Sequence, residues 1–170
     1  MSNKINSESP AVYAVNVDNY HEDTNKQDEI IDTALFYLLS RLRQPGQVID
    51  SPETTVKYLT LQLATCEHEV FSVLFMDNRH RVISFEHMFN GTIDGASVYA
   101  REVVKLALKL NAASVILSHN HPSGIPEPSQ SDVKVTKRLV DALALVDVRV
   151  LDHIVIGGSE HVSFAERGLI

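Results

Sequence analysis

Two histidines separated by one residue, His119 and His121, and an aspartate, Asp132, with ten residues between it and the second histidine, are the side chains best suited to chemistry. In an extended segment side chains repeat every two residues, so both imidazoles point the same way and can share one ion. Pro122, Gly124, Pro126 and Pro128 then force a rigid loop that returns the chain to the first turn of a helix, where Asp132 sits. Two imidazoles and one carboxylate are a three-ligand set for one zinc ion per chain, with a fourth tetrahedral position open to water. Closed structural zinc sites lean on several cysteines, and Cys66 is the only cysteine here. An open zinc site polarises a carbonyl and acidifies its water. Amide hydrolysis then needs a carboxylate that reaches the water without binding the metal. Plainer readings exist beside this one. Ser129-x-x-Asp132 is a capping-box pattern in its own right, and a His-x-His pair alone is common.

These residues need a scaffold, and the apolar pattern describes one. Ile30, Ile31, Ala34, Leu35, Leu38, Leu39 and Leu42 fall at helical spacing, predicting a helix over Asp28–Arg43 that Pro45-Gly46 stops. Ser51-Pro52-Glu53 starts a second helix, with Val56, Leu59, Leu63 and Ala64 on its apolar face. Val70–Met76 is a continuous apolar run suited to a buried strand. Asp77-Asn78 reads as a turn, Arg81–Phe85 as the returning strand, and Asn90-Gly91 as a further turn. Asp94 or Ser97 caps a helix to about Leu110, whose inner face uses Val103, Ala107 and Leu110. Ala113–Leu117 is a short buried strand feeding the histidine pair, and a helix runs from Ser129 to about Leu145. Val148–Leu151 and Ile154–Ile156 read as two strands, with Gly157-Gly158 a turn before Val162-Ser163-Phe164. The expected class is α/β, a mixed sheet flanked by helices. Residues 1–25 are polar; alternation at Val12, Tyr13, Val15 and Val17 fits either a strand or a loose arm.

Composition narrows the function classes. At 170 residues, 44% hydrophobic and 22% charged, the chain has enough apolar material for one packed domain and a short extension. A net charge of -7 lacks the basic stripe of a duplex-DNA binder. The clusters Lys134, Lys137, Arg138 and Arg101, Lys105, Lys109 sit at helical spacing and read as solvated faces. No apolar run is long enough for a membrane span, and a lone cysteine with no apolar leader suggests a reducing, cytoplasmic setting. Cys66 itself reads as a small core residue.

The segment His119-Asn120-His121-Pro122-Ser123-Gly124, then Pro128-Ser129 and Asp132, resembles the JAMM motif of MPN-domain metalloproteases: His-x-His, seven residues, Ser, two residues, Asp. Its His-Asn-His-Pro-Ser-Gly variant is that of the RadC family of bacterial proteins. Asn90-Gly91-Thr92, Arg101-Glu102-Val103, Asn111-Ala112-Ala113 and Leu151-Asp152-His153 extend the likeness, which runs from about Ser51 to Ile170. The resemblance implies an MPN (cytidine-deaminase-like) architecture over residues 48–170, behind an arm and helix at 1–47. It implies that His119, His121 and Asp132 hold zinc. Ser129 would orient the water or stabilise an oxyanion. A glutamate opening an earlier strand would be the general base; Glu69 matches, with Glu67 the runner-up and Glu86 a distant third. Asp152 and His153 either support the site or serve the core and loops. Asn120 stands where eukaryotic MPN proteases carry Ser or Thr; it is not a ligand, but substrate contact there would differ. Longer RadC proteins carry an N-terminal helix-hairpin-helix region that this chain is expected to lack, as in short forms on prophages and other mobile elements.

Two functions follow. One is a zinc-dependent peptidase or related amide hydrolase acting on a peptide or protein. The other is a non-enzymatic accessory module in DNA repair or recombination. A nucleobase deaminase needs His-x-Glu and Pro-Cys-x-x-Cys, which a single cysteine excludes. Homo-oligomerisation stays open, since the helix over Asp28–Arg43 can pack on its own domain or on a neighbouring copy.

Overall fold

Alternating apolar runs and helical stripes produce nine elements in the computed structural model, which describes residues 24–42, 51–63, 65–91 and 98–170 and, within the first helix, the side chains of 28–38. They are α1 (Thr24–Leu42), α2 (Pro52–Leu63), β1 (Val70–Met76), β2 (Val82–Asn90), α3 (Ala100–Lys109), β3 (Ser114–Asn120), α4 (Gln130–Ala144), β4 (Arg149–Gly157) and β5 (Glu160–Ser163). The sheet order is β2-β1-β3-β4-β5. Only β3 and β4 run parallel; the other neighbours are antiparallel. A parallel pair needs a crossover, and α4 supplies it. The fold is the mixed α/β sheet flanked by helices that the apolar pattern implied.

Every residue of β1 and of β3 is buried, because both faces of the sheet are covered. On one face Phe71, Val73 and Phe75 of β1 and Val115 and Leu117 of β3 pack with Val103 and Ala107 of α3 and Leu139 and Leu143 of α4. On the other, Val70, Leu74, Met76 and Ile116 pack with Tyr58, Leu59 and Leu63 of α2 and, at the margin, Leu38 of α1.

Several boundaries differ from the sequence-based expectation. α3 begins at Ala100 with Tyr99 at its N-cap, and Tyr99 makes no side-chain capping bond; Asp94 and Ser97 lie outside the described residues. So do the alternating segment near Val12, the Pro45-Gly46 stop and Ala64. The return strand extends past Phe85 to Asn90. The expected gap at Asp152-His153 does not exist: β4 is continuous, and both polar residues pair with β3, opposite Ile116 and Leu117. Their polarity reads as a break in sequence, but each has polar partners inside the fold. The Asp77-Asn78 turn is present, closed by Asp77 N–H donating to Arg81 O at 3.0 Å and His80 N–H to Asp77 O at 3.0 Å. Arg81 Nε adds a 2.6 Å ion pair to Asp77.

Candidate metal centre

β3 carries the first histidine into the site. His119 lies in its last turn of alternation with Val115 and Leu117, 1% exposed, and its ring stacks on Phe71 at 6.2 Å. His121 follows the strand end; its N–H donates to Ile156 O of β4 at 2.8 Å, which keeps the segment extended for one more residue. The two Nε2 atoms stand 3.0 Å apart. Asp132 closes the triangle, with Oδ1 3.6 Å from His119 Nε2 and Oδ2 3.7 Å from His121 Nε2. Two ligands about 2.0–2.1 Å from a tetrahedral zinc stand roughly 3.3 Å apart, so the three spacings bracket the value that one ion requires. Among the described residues, this is the one group of three His, Cys, Asp or Glu side chains arranged to hold a metal.

The connecting loop does more than turn the chain. Its Ile125 carbonyl lies 2.8 Å from His121 Nδ1; a carbonyl can only accept, so Nδ1 donates to it and the ring is oriented with Nε2 toward the site. The loop is held against β4 at Gly157, where a Cβ would stand 2.5 Å from Pro126 N and 2.8 Å from Gly124 O. Gly157 is therefore a close-approach glycine, while the turn itself falls on Gly158 at φ 58°.

The capping box is real and is part of the site. Ser129 N–H donates to Asp132 Oδ2 at 2.7 Å, and Asp132 N–H donates to Ser129 Oγ at 3.2 Å. The same carboxylate thus caps α4 and faces both imidazoles. Ser129 Oγ, used as an acceptor, retains its own proton for donation.

The three glutamates separate. Glu69 directly precedes β1, half-buried, and continuing the β1–β3 register past Phe71↔His119 sets it opposite His121. Glu67 is exposed and lines a cavity of about 380 Å³ with His121, Asn120 and Pro122. Glu86 sits on the edge strand opposite Val73 and accepts a 2.5 Å bond from Ser84 Oγ.

Asn120 stands outside the ligand set and is bonded within the fold. Its side chain points to the opposite face from the imidazoles and is only 5% exposed. Its Oδ1 accepts from Val70 N–H at 2.8 Å, and its Nδ2 donates to His68 O at 3.0 Å and Cys66 O at 3.4 Å. It ties the glutamate-bearing segment to β3. Asp152 also turns away from the site, accepting from Ser163 Oγ at 2.6 Å and from the N–H groups of His153 and Ala165. His153 faces it, with Nε2 2.8 Å from His119 Nδ1. Thr136, which sequence reading passed over, lies 2.6 Å from His153 Nδ1; its place one helical turn after Asp132 was the available signal. Burial pushes the Cys66 thiol up, in keeping with a core residue rather than a nucleophile.

Residues 49–169 match the family of RadC-like JAB domains. A UPF0758 protein of Nitrosococcus oceani is 62% identical over 125 residues, covering 74% of this chain and 56% of the relative. A UPF0758 protein of Vibrio cholerae is 61% identical over 123 residues, 72% of this chain and 77% of the relative. One from Marinobacter nauticus is 60% identical over 129 residues, so the chain spans just over half the length of two of these relatives. Among the described residues no helix is long and apolar enough to cross a membrane.

Proposed function

The chain belongs to the family of RadC-like JAB domains, and from that membership we propose that it is a zinc-dependent metallohydrolase cleaving an amide or isopeptide bond in a peptide or protein. The hydrolase domain is assigned to residues 48–170, with 1–47 as a separate N-terminal segment, and the lone cysteine suits a cytoplasmic setting. The observation that carries the reading is the convergence of His119, His121 and Asp132 within one ion's coordination span.

His119 and His121 would hold the ion through Nε2 and Asp132 through its carboxylate. Zinc, when bound there, supplies a Lewis acid and lowers the pKa of a water. Glu69, opposite His121 and outside the ligand set, takes the proton of the attacking water and returns it to the leaving amine. Ser129 Oγ donates its free proton to the oxygen that gains charge. The Asn120 clamp holds the Glu69 segment against β3, so ligands and base keep a constant separation.

Metal content by mass spectrometry, on wild type beside His121→Ala, tests the ligand set: one zinc per chain is expected, lost in the variant while circular dichroism is unchanged. Glu69→Gln should keep its zinc and lower cleavage of a proteome-derived peptide library by about 10²–10⁴-fold. Wild-type protein that takes up no stoichiometric zinc refutes the centre, and an equally active Glu69→Gln refutes the base. Salt-sensitive DNA binding that survives chelation, with no cleavage, would favour the accessory role in repair or recombination.

A further inference from the structure

We propose that Thr136 and His153 are positioning residues that lock the proton of His119 on Nδ1, so that its Nε2 is presented bare to the metal centre. Thr136 Oγ1 lies 2.6 Å from the backbone carbonyl of Asp132. A carbonyl has no proton to give, so the single hydroxyl proton lies between these two oxygens. His153 Nδ1 lies 2.6 Å from the same Oγ1. With its own proton committed, the hydroxyl can only accept there, and Nδ1 of His153 must be N–H.

His153 is 0% exposed, and its two ring nitrogens face a hydroxyl and an imidazole rather than a carboxylate; a buried ring without a charged partner stays neutral. A neutral ring with its proton on Nδ1 has a bare Nε2. That atom stands 2.8 Å from His119 Nδ1, which must therefore donate. One helix carbonyl and the burial of His153 together assign every proton in the row. The row also closes a circuit: it starts on the backbone of one ligand, Asp132, and ends on the ring of another, His119. The two ligands come from different elements, α4 and β3, and the row couples the position of one to the tautomer of the other. Thr136, at 1% exposure, and His153 are shielded from water that would scramble the assignment.

The purpose of this row rests on the zinc reading, but its existence does not. The test is long-range ¹H–¹⁵N correlation on histidine-labelled, metal-free full-length chain at mildly alkaline pH, where imidazoles are neutral. His119 and His153 should both show the Nδ1–H tautomer. Thr136→Val removes the acceptor and should give mixed tautomers at both rings, while Thr136→Ser should restore the wild-type pattern. In competition with a chromophoric chelator, Thr136→Val should bind zinc about 10–100-fold more weakly, and Thr136→Ser should match wild type. An Nε2–H tautomer at His119 in wild type overturns the proposal, as does a Thr136→Val protein with unchanged tautomers. If Thr136→Val does not fold, the wild-type spectrum decides alone. Expected tautomers in a protein that binds no zinc would leave the row standing and remove the metal centre.

Discussion

The two faces of the sheet differ in how fully they satisfy their buried polar atoms. On the α3/α4 face, the buried polar groups His119, Thr136 and His153 each have a partner, and their bonds lead to the ligand triangle. On the α2 face, Ser72, Ser114 and Ser118 are buried with no hydrogen-bond partner for their hydroxyls among the described residues. Ser72 and Ser118 even stand opposite each other across β1 and β3. The same strand builds both: β3 sends His119 one way and Ser118 and Asn120 the other. A buried polar group left unpaired costs free energy. Polar satisfaction is complete for these three groups beside the ligands and only partial on the other face, where Asn120, Thr55 and the Asp152–Ser163 pair are bonded and the three serines are not.

This contrast can be broken or sharpened by substitution. The largest effect is expected at Phe71, which stacks on His119 and also meets His153 edge-on at 5.5 Å. Phe71→Ala should cost roughly 3–5 kcal/mol in denaturant unfolding and weaken zinc binding, because both supported rings lose their backing. Asn120→Ala comes next. It strips partners from Val70 N–H and from two carbonyls, so about 1–3 kcal/mol of stability should go. If the faces are separate in function, this variant keeps its zinc affinity and loses hydrolytic rate; a zinc affinity that fell with the rate would merge them. The smallest effect belongs to Ser118→Ala. Removing a buried hydroxyl that has no partner should shift stability by no more than about 0.5 kcal/mol, or raise it, with zinc affinity unchanged in the same titration. A large loss would mean that this face, too, depends on its polar atoms.

Much of the centre was legible along the chain. The His-x-His pair, the proline-rich loop and the capping box are local patterns, decided by strand alternation, by φ restriction at proline and by free amides at a helix start. The buried runs of β1 and β3 likewise declare themselves, since strands covered on both faces are apolar throughout. Glu69 was reachable as the acid entering β1, though its register opposite His121 was not.

What tertiary structure alone decided is which residues far along the chain meet these. In β4 one extra residue, Leu151, falls between the partners of Val115 and Ile116. Shifting a strand by one residue exchanges its faces. Because of that shift Leu117 is paired with His153 and Ile116 with Asp152, so the imidazole turns toward His119 and the carboxylate turns away. Without it Asp152 would share the face of Leu117. No composition or periodicity near Leu151-Asp152-His153 marks the irregularity, because it arises from fitting β4 to β3 through the α4 crossover. The same holds for Asn120 and Val70, whose side chain and amide meet only once β1 and β3 are in register.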